Sequence, residues 1–245
     1  MTPNPRQGVL VAVGVTLATR ALQAAPRFAP PWADVLVWSI ASVALCATAL
    51  RLSHRLRPRA ILDELGLLGT PVPAIALVAV ASTAPALVLL MSRANPELPA
   101  ASTLLPLALF GPLGEEIVFR GYLFQQLHRR ARWGFWPAAG LSALLFGLAH
   151  VHGLTRTLEA PSNVVVPAIG GFFFAWLFLR WKENLWVPIA VHASMNFWWE
   201  VLHSTGDLAA GQHAQLARGV FVGIVILKTL RETPAFDSEP ASIPE

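Results

Sequence analysis

Charge, cysteine and tyrosine are all scarce in this sequence of 245 residues. Charged residues make up only 13% of it, about half of their share in an average soluble domain. The single cysteine, Cys46, excludes an intrachain disulfide and leaves the redox compartment undetermined. One tyrosine stands against nine tryptophans and thirteen phenylalanines, a bias that suits a lipid-facing surface. These shortages argue against a soluble domain and favour a membrane protein.

Apolar residues dominate instead, since 55% of the chain is hydrophobic and its mean hydropathy is +0.55. A helix of roughly 20 apolar residues crosses a bilayer, and eight runs approach that length. The predicted fold is therefore all-α, a polytopic membrane protein with about eight transmembrane helices. The first run is the weakest, because Arg20 interrupts it and LQAAP could pass for a signal-peptide cleavage region. The predicted spans are 8–25, 33–52, 71–92, 102–127, 134–150, 163–181, 185–203 and 213–230.

Two segments are too polar to cross a membrane. The segment from Arg51 to Thr70 is predicted to lie along the interface as a short amphipathic helix. The segment from Thr233 to Glu245 is acidic and contains proline, which predicts a disordered tail. One membrane domain accounts for nearly all of the remaining chain.

The basic residues predict how the chain is oriented. The net charge of +4 does not indicate a nucleic-acid partner, because the basic residues fall between apolar runs, as in membrane loops. Of the 18 Lys and Arg residues, twelve fall on one side, five on the other, and Arg120 within a span. Because the more basic side is usually cytoplasmic, both termini are predicted to be cytoplasmic.

The stretch GEEIVFRGYLF places three ionisable groups inside the fourth span. An ionised side chain at the centre of a membrane helix costs about 2.5–3.5 kcal/mol even on the lenient insertion scale. Glu116 and Arg120 are four residues apart, so they share a helix face and can neutralise each other, in a buried packing network if nothing more. Glu115 has Phe119 at the corresponding position and therefore no such partner. An unpaired intramembrane carboxylate is a candidate functional group.

Two further spans carry polar side chains. His150 closes the fifth span four residues after Phe146, and His192 and Asn196 lie four residues apart on one face of the seventh. A carboxylate and an imidazole that meet at one water molecule can act as general base and proton shuttle. An imidazole and a carboxamide on one helix face can donate hydrogen bonds to an oxyanion. That combination suits amide hydrolysis.

A metal site is the alternative chemistry for the same residues. Glu115, His150 and His192 could bind zinc with a water molecule in the fourth position. The chain has no HExxH motif, which would place two histidine ligands one turn apart. A serine nucleophile is disfavoured, because Ser194 points about 160° away from Asn196 around the helix. Spacing therefore favours an activated water molecule over an acyl-enzyme.

These motifs resemble those of a known family. Glu115-Glu116-x-x-x-Arg120, Phe146-x-x-x-His150 and His192-x-x-x-Asn196 look like the three signatures of type II CAAX prenyl endopeptidases. This family is also called CPBP, for CAAX proteases and bacteriocin-processing proteins. The motifs occur in order within 82 residues, and the flanking FRGYLF and FGLAH strengthen the resemblance.

The resemblance implies an intramembrane protease with its active site in a polar cavity enclosed by the helices. By position, Glu115 with His150 would activate water, and His192 with Asn196 would form the oxyanion hole. Glu116 and Arg120 would hold the first motif in place, with Phe146 as further support. The family is often described as metalloproteases, whereas a glutamate-based mechanism without metal is the better-supported interpretation, so zinc is only an alternative cofactor. The implied divisions are 1–60 for two helices and a basic loop, 61–203 for the protease core, 204–232 for the last helix and 233–245 for the tail.

The predicted orientation bears on the substrate. It places His150 and Asn196 toward the extracytoplasmic side, which argues against cytosolic prenylated proteins. The predicted partners are the lipid bilayer and a membrane-associated protein, or its C-terminal anchor, in the inner membrane of a bacterium. A non-catalytic scaffold, an immunity factor and a small-ion path stay open as alternatives, and so does CAAX-type processing. A transporter is less favoured, since no repeated halves are evident. The oligomeric state is undetermined.

Overall fold

Helices make up nearly all of the described chain. The computed structural model describes residues 5–23, 30–92, 100–151, 162–203 and 212–233, and no strand occurs within these ranges. The helices are α1 (Pro5–Gln23), α2 (Pro31–His54), α3 (Pro58–Glu64), α4 (Val72–Ala81), α5 (Thr83–Ser92), α6 (Ala101–Arg130), α7 (Phe135–Ala149), α8 (Ser162–Arg180), α9 (Trp186–His203) and α10 (Gln212–Glu232).

The predicted polytopic helical membrane protein is confirmed. Each of the eight predicted spans overlaps a helix, and α4 with α5 together form the third. By length and composition, five helical segments within the described residues can cross a membrane: Trp32–His54, Val72–Met91, Ala101–Arg130, Asn163–Arg180 and His213–Glu232. The number of eight crossings stays a prediction, as do the predicted divisions of the chain. The predicted disordered tail falls, beyond Thr233, outside the described residues.

The long helix α6 carries the first motif and alternates between α-helical and π-helical turns. One π-helical turn covers Pro106–Phe110, and within it the Gly111 N–H donates to the Pro106 carbonyl five residues earlier. In this register the Leu107 carbonyl would accept from Pro112, which has no N–H to donate. The sequence thus leaves the Leu107 carbonyl free, about two helical turns before Glu115.

Two glycines allow neighbouring helices to approach the motifs closely. A Cβ atom at Gly114 would lie 2.7 Å from Ser39 Oγ on α2. A Cβ atom at Gly171 on α8 would lie 3.1 Å from the Ala143 Cα on α7 and 3.2 Å from the Phe146 ring. The distance at Gly114 is too short for a Cβ atom, and a Cβ atom at Gly171 would need its neighbours to move by a few tenths of an ångström.

The N-terminal helix belongs to the same packed unit. It packs against α2 and α6, and the Trp38 indole on α2 donates to the Thr19 carbonyl at 2.8 Å. The short helix predicted after α2 is present as α3, and its buried Glu64 accepts two hydrogen bonds of 2.8 Å from Arg130 at the end of α6. This ion pair connects α3 to the end of α6.

Candidate active site

The predicted pair of Glu116 and Arg120 is present and fully enclosed. Arg120 Nη1 lies 3.0 Å from Glu116 Oε1, and neither side chain has any accessible surface. Burial of two charges is costly unless they neutralise each other with good geometry, which the four-residue spacing on one helix face provides. The pair is the fixed structural part of the site.

His192 from α9 lies between the two glutamates of α6. Its Nδ1 is 2.8 Å from Glu116 Oε1, and its Nε2 is 3.9 Å from Glu115 Oε2. A carboxylate paired with an arginine is an acceptor, so Nδ1 carries a proton and donates to Glu116. The expectation that Glu115 lacks a partner therefore holds only along its own helix, because a neighbouring helix supplies one.

The two carboxylates differ in how far water can reach them. The Glu115 side chain keeps 16% of its surface accessible, whereas the Glu116 side chain keeps none. Glu116 can orient His192 and neutralise Arg120, but it cannot contact a water molecule from outside. Of the two, only Glu115 is placed to meet a reacting water molecule.

Aromatic rings enclose the Arg120 guanidinium and the His192 ring. The Arg120 guanidinium carbon lies 4.3 Å from the centre of the Phe146 ring and 5.2 Å from that of Phe174. Phe174 also stacks on His192, with ring centres 4.8 Å apart and planes inclined by 18°. Cation–π contacts of this kind stabilise an arginine away from water. The Phe146 ring thus lies against Arg120 of the first motif, while its supporting role stays a prediction.

Phe174 is a site residue that sequence reasoning missed. It belongs to the FFF run of α8, in which three identical residues carry no signal to distinguish one face from another. Only the packing of α8 against α7, which Gly171 permits, brings its ring onto His192 and Arg120.

His150 borders the site from the end of α7. Its Nδ1 donates to the Phe146 carbonyl at 2.8 Å, since a carbonyl oxygen only accepts. Its ring meets the Phe146 ring at 4.7 Å between centres. Within the described residues no hydrogen bond joins His150 to Glu115, so the predicted pair is not directly hydrogen-bonded.

Asn196 lies one helical turn beyond His192, and its amide is engaged. Asn196 Nδ2 donates to the Leu107 carbonyl at 2.8 Å. This is the acceptor that Pro112 leaves free, because a proline at that position has no N–H. The same proline therefore leaves an acceptor that anchors Asn196.

Arg20 of α1 is a second residue near the site that sequence reasoning did not assign. Its guanidinium donates to the Ala149 carbonyl, immediately before His150, and interacts electrostatically with Glu115. A cation at the last carbonyls of a helix is favourable. An arginine inside an apolar run is the signal that could have suggested this role. The contact also gives Arg20 a partner within the protein, so this arginine does not prevent the first predicted span from packing as a helix.

The proposed zinc ligands are not gathered into a metal-binding group within the described residues. No group of three His, Cys, Asp or Glu side chains within them is arranged to hold a metal ion. Nδ1 of His192 is bonded to Glu116 and Nδ1 of His150 to a carbonyl, so only the Nε2 atom of each ring is left to bind a metal.

Comparisons with known proteins support the family resemblance. The family model of Type II CAAX prenyl endopeptidase Rce1-like proteins matches residues 97–198, which include all three motifs. The match covers less than half of the chain, and over these residues the chain is similar to that family. The resemblance predicted from the motifs is thereby confirmed, and we refer to residues 97–198 as the Rce1-like segment.

A curated protein is also similar to part of the chain. It is the "Putative membrane peptidase YdiL" of Bacillus subtilis (strain 168), 33% identical over 89 residues. The alignment covers 36% of this chain and 32% of the relative, so the chain matches about a third of that protein's length. No solved structure matches the chain significantly.

Proposed function

We propose that this integral membrane protein is an intramembrane endopeptidase, in which Glu115 activates a water molecule to hydrolyse a peptide bond. The supporting observation is the contrast between the two neighbouring glutamates. Glu115 is accessible and faces His192 Nε2 at 3.9 Å, whereas Glu116 is enclosed and holds the other ring nitrogen. Two carboxylates in different environments can take two different roles.

The proposed reaction uses the site residues as follows. Glu115 accepts a proton from water as the water oxygen attacks the carbonyl carbon of the scissile bond. His192, through a protonated Nε2, and Asn196 donate hydrogen bonds to the oxyanion that forms. The C–N bond then breaks, and the proton held by Glu115, with His150 as shuttle, passes to the leaving nitrogen. Asn196 must exchange its bond to Leu107 for the oxyanion.

The enclosed residues have supporting roles in this proposal. Glu116 fixes the orientation of the His192 ring, and Arg120 neutralises Glu116. Phe146 and Phe174 cover the guanidinium. These contacts hold the His192 ring in place before a substrate binds.

The proposed substrate is a membrane-associated protein or its C-terminal anchor, reached from the extracytoplasmic side. This side follows from the distribution of Lys and Arg. The inner membrane of a bacterium, with both termini in the cytoplasm, is the proposed location. CAAX-type processing and a zinc-dependent mechanism are the alternatives, and metal analysis of the purified protein tests the second.

The first experiment compares cells that carry the wild-type protein with cells that carry Glu115→Gln at equal abundance. Glutamine keeps the shape of the side chain but cannot take a proton from water. We expect new protein termini in the membrane proteome only with the wild type. Glu232→Gln is the matched control, because it makes the same change at an exposed ion pair on α10.

Two outcomes separate the candidate functions. Termini that depend on Glu115 and persist in the Glu232→Gln control establish proteolysis and name the substrate. Identical termini in all three strains, with the biological role intact, contradict proteolysis and favour a non-catalytic scaffold that uses the same polar network.

A further inference from the structure

A small cavity adjoins the candidate active site on the side of Asn196. It lies between α5, α9 and α10 and has a volume of about 150 Å³. Its lining is almost entirely apolar and includes Pro85, Leu202 and Phe221. An apolar cavity of this size admits roughly one benzene-sized group, which excludes a whole lipid but suits a single peptide side chain.

Arg218 of α10 lines the same cavity with unused hydrogen-bonding capacity. Its guanidinium carbon lies 3.4 Å from the centre of the Trp199 ring. All three guanidinium nitrogens are shielded from solvent, and none has a hydrogen-bond partner among the described residues. A guanidinium offers five donors in a planar fork that matches a carboxylate. A shielded cation without an anion is costly, so an arriving carboxylate is favoured at this position.

The position of the cavity connects it to the chemistry. Asn196, the proposed oxyanion donor, forms part of its wall, and Arg218 approaches from the opposite helix. The Arg218 nitrogens are covered, so a carboxylate reaches them when the side chain turns toward the cavity that it already lines. Arg218, Trp199 and Leu202 all lie outside the Rce1-like segment.

We infer that this cavity is a substrate subsite for an apolar side chain next to a carboxylate, with Arg218 as the specificity-determining cation. The inference rests on the proposed function, because it assigns to the cleaved peptide an apolar side chain and a carboxylate near the scissile bond. The carboxylate can belong to an acidic side chain or to the end of the substrate chain, and both present the same two oxygens to the guanidinium.

Binding is tested on the purified full-length protein in detergent, without need for catalysis. The probes are N-acetyl-phenylalanine and its neutral amide, compared by saturation-transfer NMR. We expect the carboxylate to bind about tenfold more tightly than the amide, since hydrogen bonds to charged groups are the stronger ones. Arg218→Gln should remove this preference, whereas Lys228→Gln, which removes a charge elsewhere on α10, should keep it.

The outcomes decide the inference independently of proteolysis. Equal binding of the two probes, no binding of either, or a preference that survives Arg218→Gln overturns it. A preference that depends on Arg218 in a protein without Glu115-dependent termini supports the binding site while contradicting the proposed function.

If proteolysis is found, paired peptides from the most strongly cleaved substrate identify the source of the carboxylate. One pair differs by amidation of the chain terminus, and another by Asp→Asn or Glu→Gln near the cleavage site. We expect one pair to differ in KM by about tenfold with wild-type protein and to become equal with Arg218→Gln. Equal KM values in both pairs with wild-type protein contradict the subsite.

Discussion

At the scale of single residues, we expect the stability of the protein to fall when only one member of the enclosed pair of Glu116 and Arg120 is substituted. Removal of one partner leaves a buried charge uncompensated, at a cost of about 3–5 kcal/mol. Arg120→Met should therefore lower the free energy of unfolding by about that amount. Replacement of both partners, as in Glu116→Leu with Arg120→Met, should recover most of the stability but no activity, because His192 loses its hydrogen-bond acceptor.

The measurement is the loss of helical circular dichroism as SDS is added to the purified protein in mixed micelles. Lys228→Met is the control, since the exposed pair of Lys228 and Glu232 contributes at most about 1 kcal/mol. A double variant no more stable than Arg120→Met alone would contradict the argument that the uncompensated charge causes the loss.

The residues of this site could be predicted to different degrees. The polar site residues could be found from the sequence, because polar groups are rare in apolar helices and the four-residue spacing within each motif places its paired residues on one helix face. They are Glu115, Glu116, Arg120, His150, His192 and Asn196. Phe174 could not be predicted, because the sequence does not distinguish one apolar residue of an apolar helix from another. Its role follows only from its contact with His192. The pairing of His192 with Glu116 is likewise a contact between helices, which spacing along one helix does not determine.

At the scale of helices, the connection between α3 and α6 predicts a dependence of stability on pH. Burial alone would raise the pKa of Glu64, but the hydrogen bonds and charge of Arg130 outweigh it, so the pKa lies below its usual value. A carboxyl group with a lowered pKa in the folded state stabilises the protein above its unfolded pKa, about 4.3 for glutamate. That contribution is lost as the pH falls through the folded-state pKa.

Glu64→Gln should therefore destabilise the protein by about 1–3 kcal/mol at pH 7, because Arg130 loses a charged acceptor. The difference between wild type and variant should shrink as the pH falls below about 4. Thermal unfolding in detergent at pH 7 and at decreasing pH measures it. Asp63→Gln is a neighbouring control without this ion pair, and a difference that stays constant with pH would contradict the assignment.

The helices themselves were predictable, whereas their internal geometry was not. Runs of apolar residues determine where a helix forms, and all eight predicted runs overlap observed helices. The π-helical turns of α6 have no signature in the pattern of apolar residues. Pro112 has no N–H to donate, but only the register of the π-helical turn makes the free carbonyl that of Leu107, and only the position of α9 brings Asn196 to it.

At the scale of the whole molecule, orientation in the membrane is the main open prediction. Twelve of the 18 Lys and Arg residues lie on the predicted cytoplasmic side, which places the chain around Arg156 outside the cell. We expect Arg156→Cys to be labelled in intact cells by a membrane-impermeant maleimide. Cys46 has no accessible surface and can be replaced by alanine to give a clean background.

A cysteine at Arg129, on the predicted cytoplasmic side, is the matched control and should be labelled only after the cells are opened. Labelling of the Arg129 position and not of the Arg156 position in intact cells would reverse the orientation. The extracytoplasmic substrate would then be wrong, and CAAX-type processing would become the favoured alternative.

The sequence by itself determined the all-helical membrane fold, the positions of the helices and the three motifs of the Rce1-like segment. These are local properties, because the bilayer demands long apolar runs and the helix repeat assigns residues to faces. The tertiary structure alone decided that His192 bridges two glutamates, that Phe174 and Arg20 approach the site, and that Arg218 lines a cavity beside Asn196. Each of these is a contact between distant segments, and such contacts depend on how side chains of different helices fit together.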